Sequence, residues 1–183
     1  MPRLSFPARE AMSEAAREVY DATASGRRGV VPANVMVWLR SPVFAARAQK
    51  LGEFARYETS LGPRRSEIAI LVVARHWTAQ YEWAMHAMEA AKAGVPAEII
   101  GDIAARRTPR FDQDAERIVY EFSAALVHSH AVPDDTYRAA VGTLGEQATV
   151  ELVGVLGYYT LVAMTLNAFD IDPPSMGIEP LAP

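Results

Sequence analysis

The chain has 183 residues, 50% of them hydrophobic and 22% charged, a composition that suits one globular domain and excludes a disordered chain. Its net charge of −4, with no run of Lys and Arg interleaved with aromatics, excludes an electrostatic footprint for nucleic acid. Cysteine is absent, which removes disulfides, thiolate metal sites and thiol chemistry together.

The start, MPRLSFPARE, lacks the apolar stretch of a secretory signal, so the cytoplasm is the expected location. A first helix is predicted from Ser13, as N-cap, to Ala24, where Gly26-Arg-Arg-Gly29 breaks it. Asn34 to Leu39 reads as a short helix, and Pro42 opens another that ends near Thr59. After Leu61-Gly62-Pro63, one long helix is predicted from Ser66, or slightly earlier, to Lys92, stopped by Gly94 and Pro96. Pro96 to Ala105 makes a short helix, and Arg106 to Phe111 a basic loop. Asp112 caps a helix to His128, Pro133 to Leu144 form the next, and Gly145 closes it. The last helix spans Glu146 to Phe169. Its apolar run near Val150 to Phe169 is broken by Glu151, glycines, Asn167 and two tyrosines, so no membrane span is expected. The Pro-rich tail from Asp172 is expected to lie extended on the surface. With no alternating strand, the fold class is all-α, a single domain over residues 1–183 of roughly seven or eight helices.

The long helix is the one that carries chemistry. On one stripe it places Ile68, Leu71, Val72, Arg75, Ala79, Glu82 and His86, so aliphatic residues give way to a cation, a carboxylate and an imidazole. The other side carries Ile70, Val73, Trp77, Tyr81 and Met88, and a helix apolar nearly all round is a buried one. Glu82 and His86, four apart, meet on one face. A carboxylate there can fix the imidazole tautomer and leave the other nitrogen to act as acid or base. The pair also suits a purely structural role on a crowded interface. Arg75 is placed either to hold a substrate carboxylate or to neutralise an acid. Trp77, Tyr81 and Trp83 suit core or subunit contacts first and pocket walls second, and so do Tyr158 and Tyr159. The surplus of aromatics on the long helix points to a homo-oligomer. His128 and His130 lack a third ligand and read as a solvated helix end, and His76 as a packing or surface residue.

The run Leu61-Gly-Pro-Arg-Arg-Ser-Glu-Ile-Ala-Ile-Leu-Val-Val-Ala-Arg75, then Tyr81-Glu-Trp-Ala-Met-His86, then Ala90-Ala-Lys-Ala-Gly94-Val-Pro, resembles the carboxymuconolactone decarboxylase family, which also contains the AhpD-like alkylhydroperoxidases. The resemblance covers roughly Pro32 to Phe169, with the tail 172–183 outside it. In the peroxidase branch two cysteines stand seven and four residues before the motif histidine; here those positions are Ala79 and Glu82. The resemblance therefore implies the cysteine-free, decarboxylase-like branch and not a thiol peroxidase. It implies an AhpD-like helical subunit, no metal or organic cofactor, and a homo-oligomer, a trimer or hexamer. It further implies a lyase that acts on a small carboxylated lactone or related carboxylic acid, with a place in aromatic-compound catabolism. Glu82 and His86 match the acid–base positions, with Arg75, Tyr81 and Trp83 as substrate-binding residues. The same parts suit an isomerase or hydratase, or a non-catalytic oligomeric binding protein of the same fold.

Overall fold

A computed structural model of the chain describes residues 2–173, 175 and 177–183. Among these residues there are nine α-helices and no strand, an all-α architecture. The first three helices are α1 (Glu14–Ala24), α2 (Ala33–Trp38) and α3 (Pro42–Tyr57). They are followed by α4 (Pro63–His76), α5 (Gln80–Lys92) and α6 (Ala97–Ala104), and then by α7 (Asp114–Ser129), α8 (Asp134–Leu144) and α9 (Glu146–Ala168). Local chemistry accounts for most of these boundaries. The Ser13 hydroxyl accepts from Ala16 N–H at the start of α1, and Pro42 and Pro63 occupy first-turn positions that need no N–H. Gly62, with φ of 76°, makes the left-handed turn into α4 that a side chain would strain.

The long helix expected from Ser66 to Lys92 is two helices. α4 ends at His76, Thr78 adopts φ of 46°, and α5 begins at Gln80. Neither Gly nor Pro marks this break. A β-branched residue in the left-handed region is strained, so packing of the two halves against each other holds the turn.

α4 is the centre of the molecule and packs on α5, α7 and α9. Ile68 to Ala74 are all no more than 2% exposed, and full burial of each Val, Leu or Ile side chain contributes about 1.5–3 kcal/mol. α9 is long and apolar enough to cross a membrane, but Leu152, Val155, Leu156, Tyr159 and Val162 are buried within the protein. Val150, Val153 and Met164 on α9, and Val43, Phe44 and Leu51 on α3, are large apolar residues left exposed. Trp83, by contrast, lies in the protein's own core. The tail does not simply lie on the surface. Leu181 is buried, its N–H donates to Gln80 Oε1 at 2.9 Å, and its carbonyl accepts from Gln80 Nε2 at 2.8 Å.

One ion pair ties the start of α4 to α7. Glu116 is 2% exposed and takes Arg64 in two contacts, Nε to Oε1 at 2.5 Å and Nη2 to Oε2 at 3.1 Å. Removing the arginine strands a buried carboxylate, which in full burial costs about 3–5 kcal/mol. Arg64 is partly exposed, so water recovers part of this. Arg64→Ala is therefore expected to lose about 2–4 kcal/mol, a drop of about 5–15 °C in thermal midpoint for a domain this size. A scanning-calorimetry shift below about 2 °C would show that the pair does not hold α7 in place.

Candidate active site

Because α4 turns back at Thr78, Glu67 on α4 comes opposite His86 on α5. Glu67 Oε2 lies 2.7 Å from His86 Nδ1, and both side chains are buried. This corrects the pairing read from the sequence, in which Glu82 orients His86. Helical spacing brought Glu82 and His86 to one face, but tertiary packing supplies the imidazole with a nearer carboxylate from the neighbouring helix. With Nδ1–H donating to Glu67, Nε2 remains to take up or deliver a proton. The edge-to-face contact with Tyr159, at 4.8 Å between ring centroids, fixes the ring from the other side.

Glu82 is 1% exposed, and neither carboxyl oxygen has a hydrogen-bond partner. Burial alone pushes its pKa well above the ordinary carboxyl range and so favours the neutral acid. Glu82 and His86 share a cavity of about 320 Å³, a size usual for small-molecule sites. Tyr158, Tyr159, Val162 and Leu166 of α9 form one wall, and Arg28, Val31 and Asn34 form another. Tyr159 Oη and Asn34 Nδ2 are, like the Glu82 oxygens, buried without a partner. Orphaned polar atoms around one cavity are what a site built for a polar ligand requires. Burial also raises the pKa of both Tyr158 and Tyr159, so their phenols keep their protons. Gly52 on α3 makes room for this wall, since a Cβ there would collide with the Tyr158 hydroxyl and ring.

The cavity's positive charge comes from Arg27, Arg28 and Arg56. Arg27 stacks on the Tyr57 ring at 4.6 Å, and Arg56 pairs with Glu89 at 3.2 Å. Burial works against the charge on Arg56, but Tyr159, Glu67, Tyr57 and Glu89 outweigh it and raise its pKa. Arg28 reaches the cavity beside the Tyr158 hydroxyl, whose pKa it helps to hold down.

The structure thus brings together three of the residues chosen from the sequence, namely Glu82, His86 and Tyr81. Arg75 and Trp83 lie elsewhere. Arg75 faces a second cavity and donates from Nη1 to Thr78 Oγ1 at 3.0 Å, and Trp83 is 3% exposed in the core. Arg75 had been assigned on the assumption of one continuous helix, and the break at Thr78 turns it away, whereas Trp83 takes the core position that was its first reading. Sequence reasoning missed Glu67, Arg28 and Arg56. Glu67 left a signal, being a carboxylate directly before the aliphatic run of a buried helix. Arg28 and Arg56 left none, because surface arginines look the same in sequence. Among the described residues, no three His, Asp or Glu side chains group closely enough to hold a metal ion.

Fold and cavity together define an all-helical protein with a cavity lined by a buried carboxyl, an oriented imidazole and arginines. Residues 42–125, the segment that carries Arg56, Glu67, Glu82 and His86, match the carboxymuconolactone decarboxylase family. An uncharacterized peroxidase-related protein from Silicibacter sp. TM1040 has a similar structure, with a TM-score of 0.77, 12% identity and coverage of 95% of this chain and 92% of that one. So does an uncharacterized peroxidase-related protein with an alkylhydroperoxidase AhpD core from Ralstonia eutropha JMP134, with a TM-score of 0.76, 13% identity and coverage of 95% and 93%. At these identities the likeness is one of fold. No curated protein matches the chain.

The state of Glu82 has a measurable consequence. A carboxyl whose folded pKa exceeds its unfolded value adds stability that is full below the unfolded pKa and is lost as pH rises through the folded one. Wild type is therefore expected to lose stability relative to Glu82→Gln as pH climbs above the ordinary carboxyl value of 4.5, and to show no such loss below it. Thermal midpoints of the two proteins across that range check this, and parallel curves would mean that Glu82 is ionised in the fold.

Proposed function

We propose that the chain is a lyase of the decarboxylase-like branch, acting by acid–base chemistry on a small carboxylated lactone or related carboxylic acid. One observation carries the reading: an unpartnered Glu82 and a Glu67-oriented His86 line the same cavity as Arg28. The arginines favour an anionic substrate. When the C–C bond to the departing carboxylate breaks, its electron pair moves into the unsaturated lactone and toward the carbonyl oxygen. The Glu82 carboxylic acid is suited to donate a hydrogen bond to that oxygen. His86 is suited to deliver the proton to carbon, and Glu67 is a positioning residue that stabilises the imidazolium. Apolar walls keep water from competing.

The test is carbon dioxide release from a panel of carboxylated lactones. His86→Gln is expected to lower turnover by about 10²–10⁴ at an unchanged fold, with a smaller loss for Glu67→Gln. Turnover per folded molecule that survives His86→Gln overturns the assignment. Both structural neighbours are called peroxidase-related, so reduction of an organic peroxide with a dithiol is the competing activity. A chain without cysteine is expected to show none at an enzymatic rate.

The subunit is further proposed to assemble with copies of itself, supported by the apolar residues exposed along α3 and α9. Light scattering is expected to give a mass that is a multiple of 20.0 kDa, and a monomer at micromolar concentration overturns this.

A further inference from the structure

Arg75 faces a second cavity, of about 410 Å³, that shares no lining residue with the first. It lies where the end of α4, the α6–α7 loop and the end of α7 meet, and no acidic residue lines it. Arg75 is 5% exposed, its Nε–H has no partner, and no described carboxylate pairs with it. A buried guanidinium without a counter-charge is costly. Arg106 comes to the same spot. Its Nη2 lies 3.5 Å from Thr78 Oγ1, the oxygen that accepts from Arg75 at 3.0 Å. One small hydroxyl therefore gathers two like charges. Arg107 lines the cavity as well, held by Asp102 at 2.8 Å. His76 and His128 complete the wall, with ring centroids 5.2 Å apart.

We propose that this cavity is a second ligand site, for a small organic anion with a phosphate or carboxylate head. The head meets Arg75 and Arg106, whose planar forks match either group. The body lies against Val72, Ile103 and Tyr120, and the volume exceeds what an inorganic oxyanion fills. The empty cavity works against positive charge. Burial, and then the proximity of Arg106, lowers the pKa of Arg75; burial, His128, Arg106 and His130 lower that of His76. Burial and Arg106 also lower that of His128. A bound anion supplies the missing counter-charge to all of them.

The experiment is NMR of the imidazole resonances in the full chain, with inorganic phosphate and benzoate titrated separately against chloride at constant ionic strength. His76 and His128 signals are assigned with His→Gln variants. Saturable shifts at both histidines are expected from at least one probe, and which probe saturates tells the phosphate head from the carboxylate head. Loss of one charge-assisted contact is expected to weaken the midpoint about tenfold or more in Arg106→Gln. Arg106 is exposed, so this variant keeps the fold where Arg75→Gln risks losing it. His86→Gln is expected to leave the midpoint unchanged, which separates this site from the acid–base cavity. No saturable shift from either probe, or one that Arg106→Gln leaves unaltered or His86→Gln abolishes, overturns the proposal.

Discussion

The hydrogen bond between Glu67 and His86 is the interaction on which the rest of the site depends. It spans two helices that the chain could have run together as one, and it forms only because α4 stops at His76 and α5 begins at Gln80. A continuous helix would carry Glu67 and His86 more than five turns apart, about 28 Å along the axis. The strained Thr78 turn makes the contact possible, and the burial of Ile68 to Ala74 holds that turn in place. The stability of the core and the geometry of the site are one arrangement.

Three carboxyl groups in this protein show how partners decide charge. Glu116 is buried but has a two-point arginine contact, Glu67 is buried and has an imidazole, and Glu82 is buried and has nothing. A guanidinium faces the first and an imidazole nitrogen the second. Glu82 has only its proton to lower its charge. A neutral acid beside an oriented base is a pair whose environments set them to opposite tasks, the usual arrangement for moving a proton at ordinary pH. The cost of leaving Glu82 unpaired is what a purely structural core would avoid.

Much of this was legible in the sequence, because helix punctuation is local. Ser13, Pro42, Pro63, Gly94, Pro96 and Gly145 mark helix boundaries with their own chemistry, and the matching elements begin or end beside them. The break at Thr78 was not legible, since Trp77-Thr78-Ala79 carries no breaker and the apolar period runs through it. That one miss propagated. It gave His86 the wrong carboxylate, placed Arg75 in the wrong cavity, and hid Glu67. The tail's anchor at Leu181 was hidden for a similar reason, because the link between Gln80 and Leu181 spans 101 positions and no local pattern encodes it.

The resemblance to the peroxidase branch sharpens what Glu82 means. Where that branch holds a thiol four residues before its histidine, this chain holds a carboxyl; where it holds the other thiol, this chain holds Ala79, fully buried. A thiol pair can supply two electrons by closing to a disulfide, whereas a carboxyl and an alanine can supply only a proton. These two positions therefore offer a carboxyl proton and no thiol electrons. Arginines line the same cavity, and a proton donor walled by cations favours groups that carry or gather negative charge.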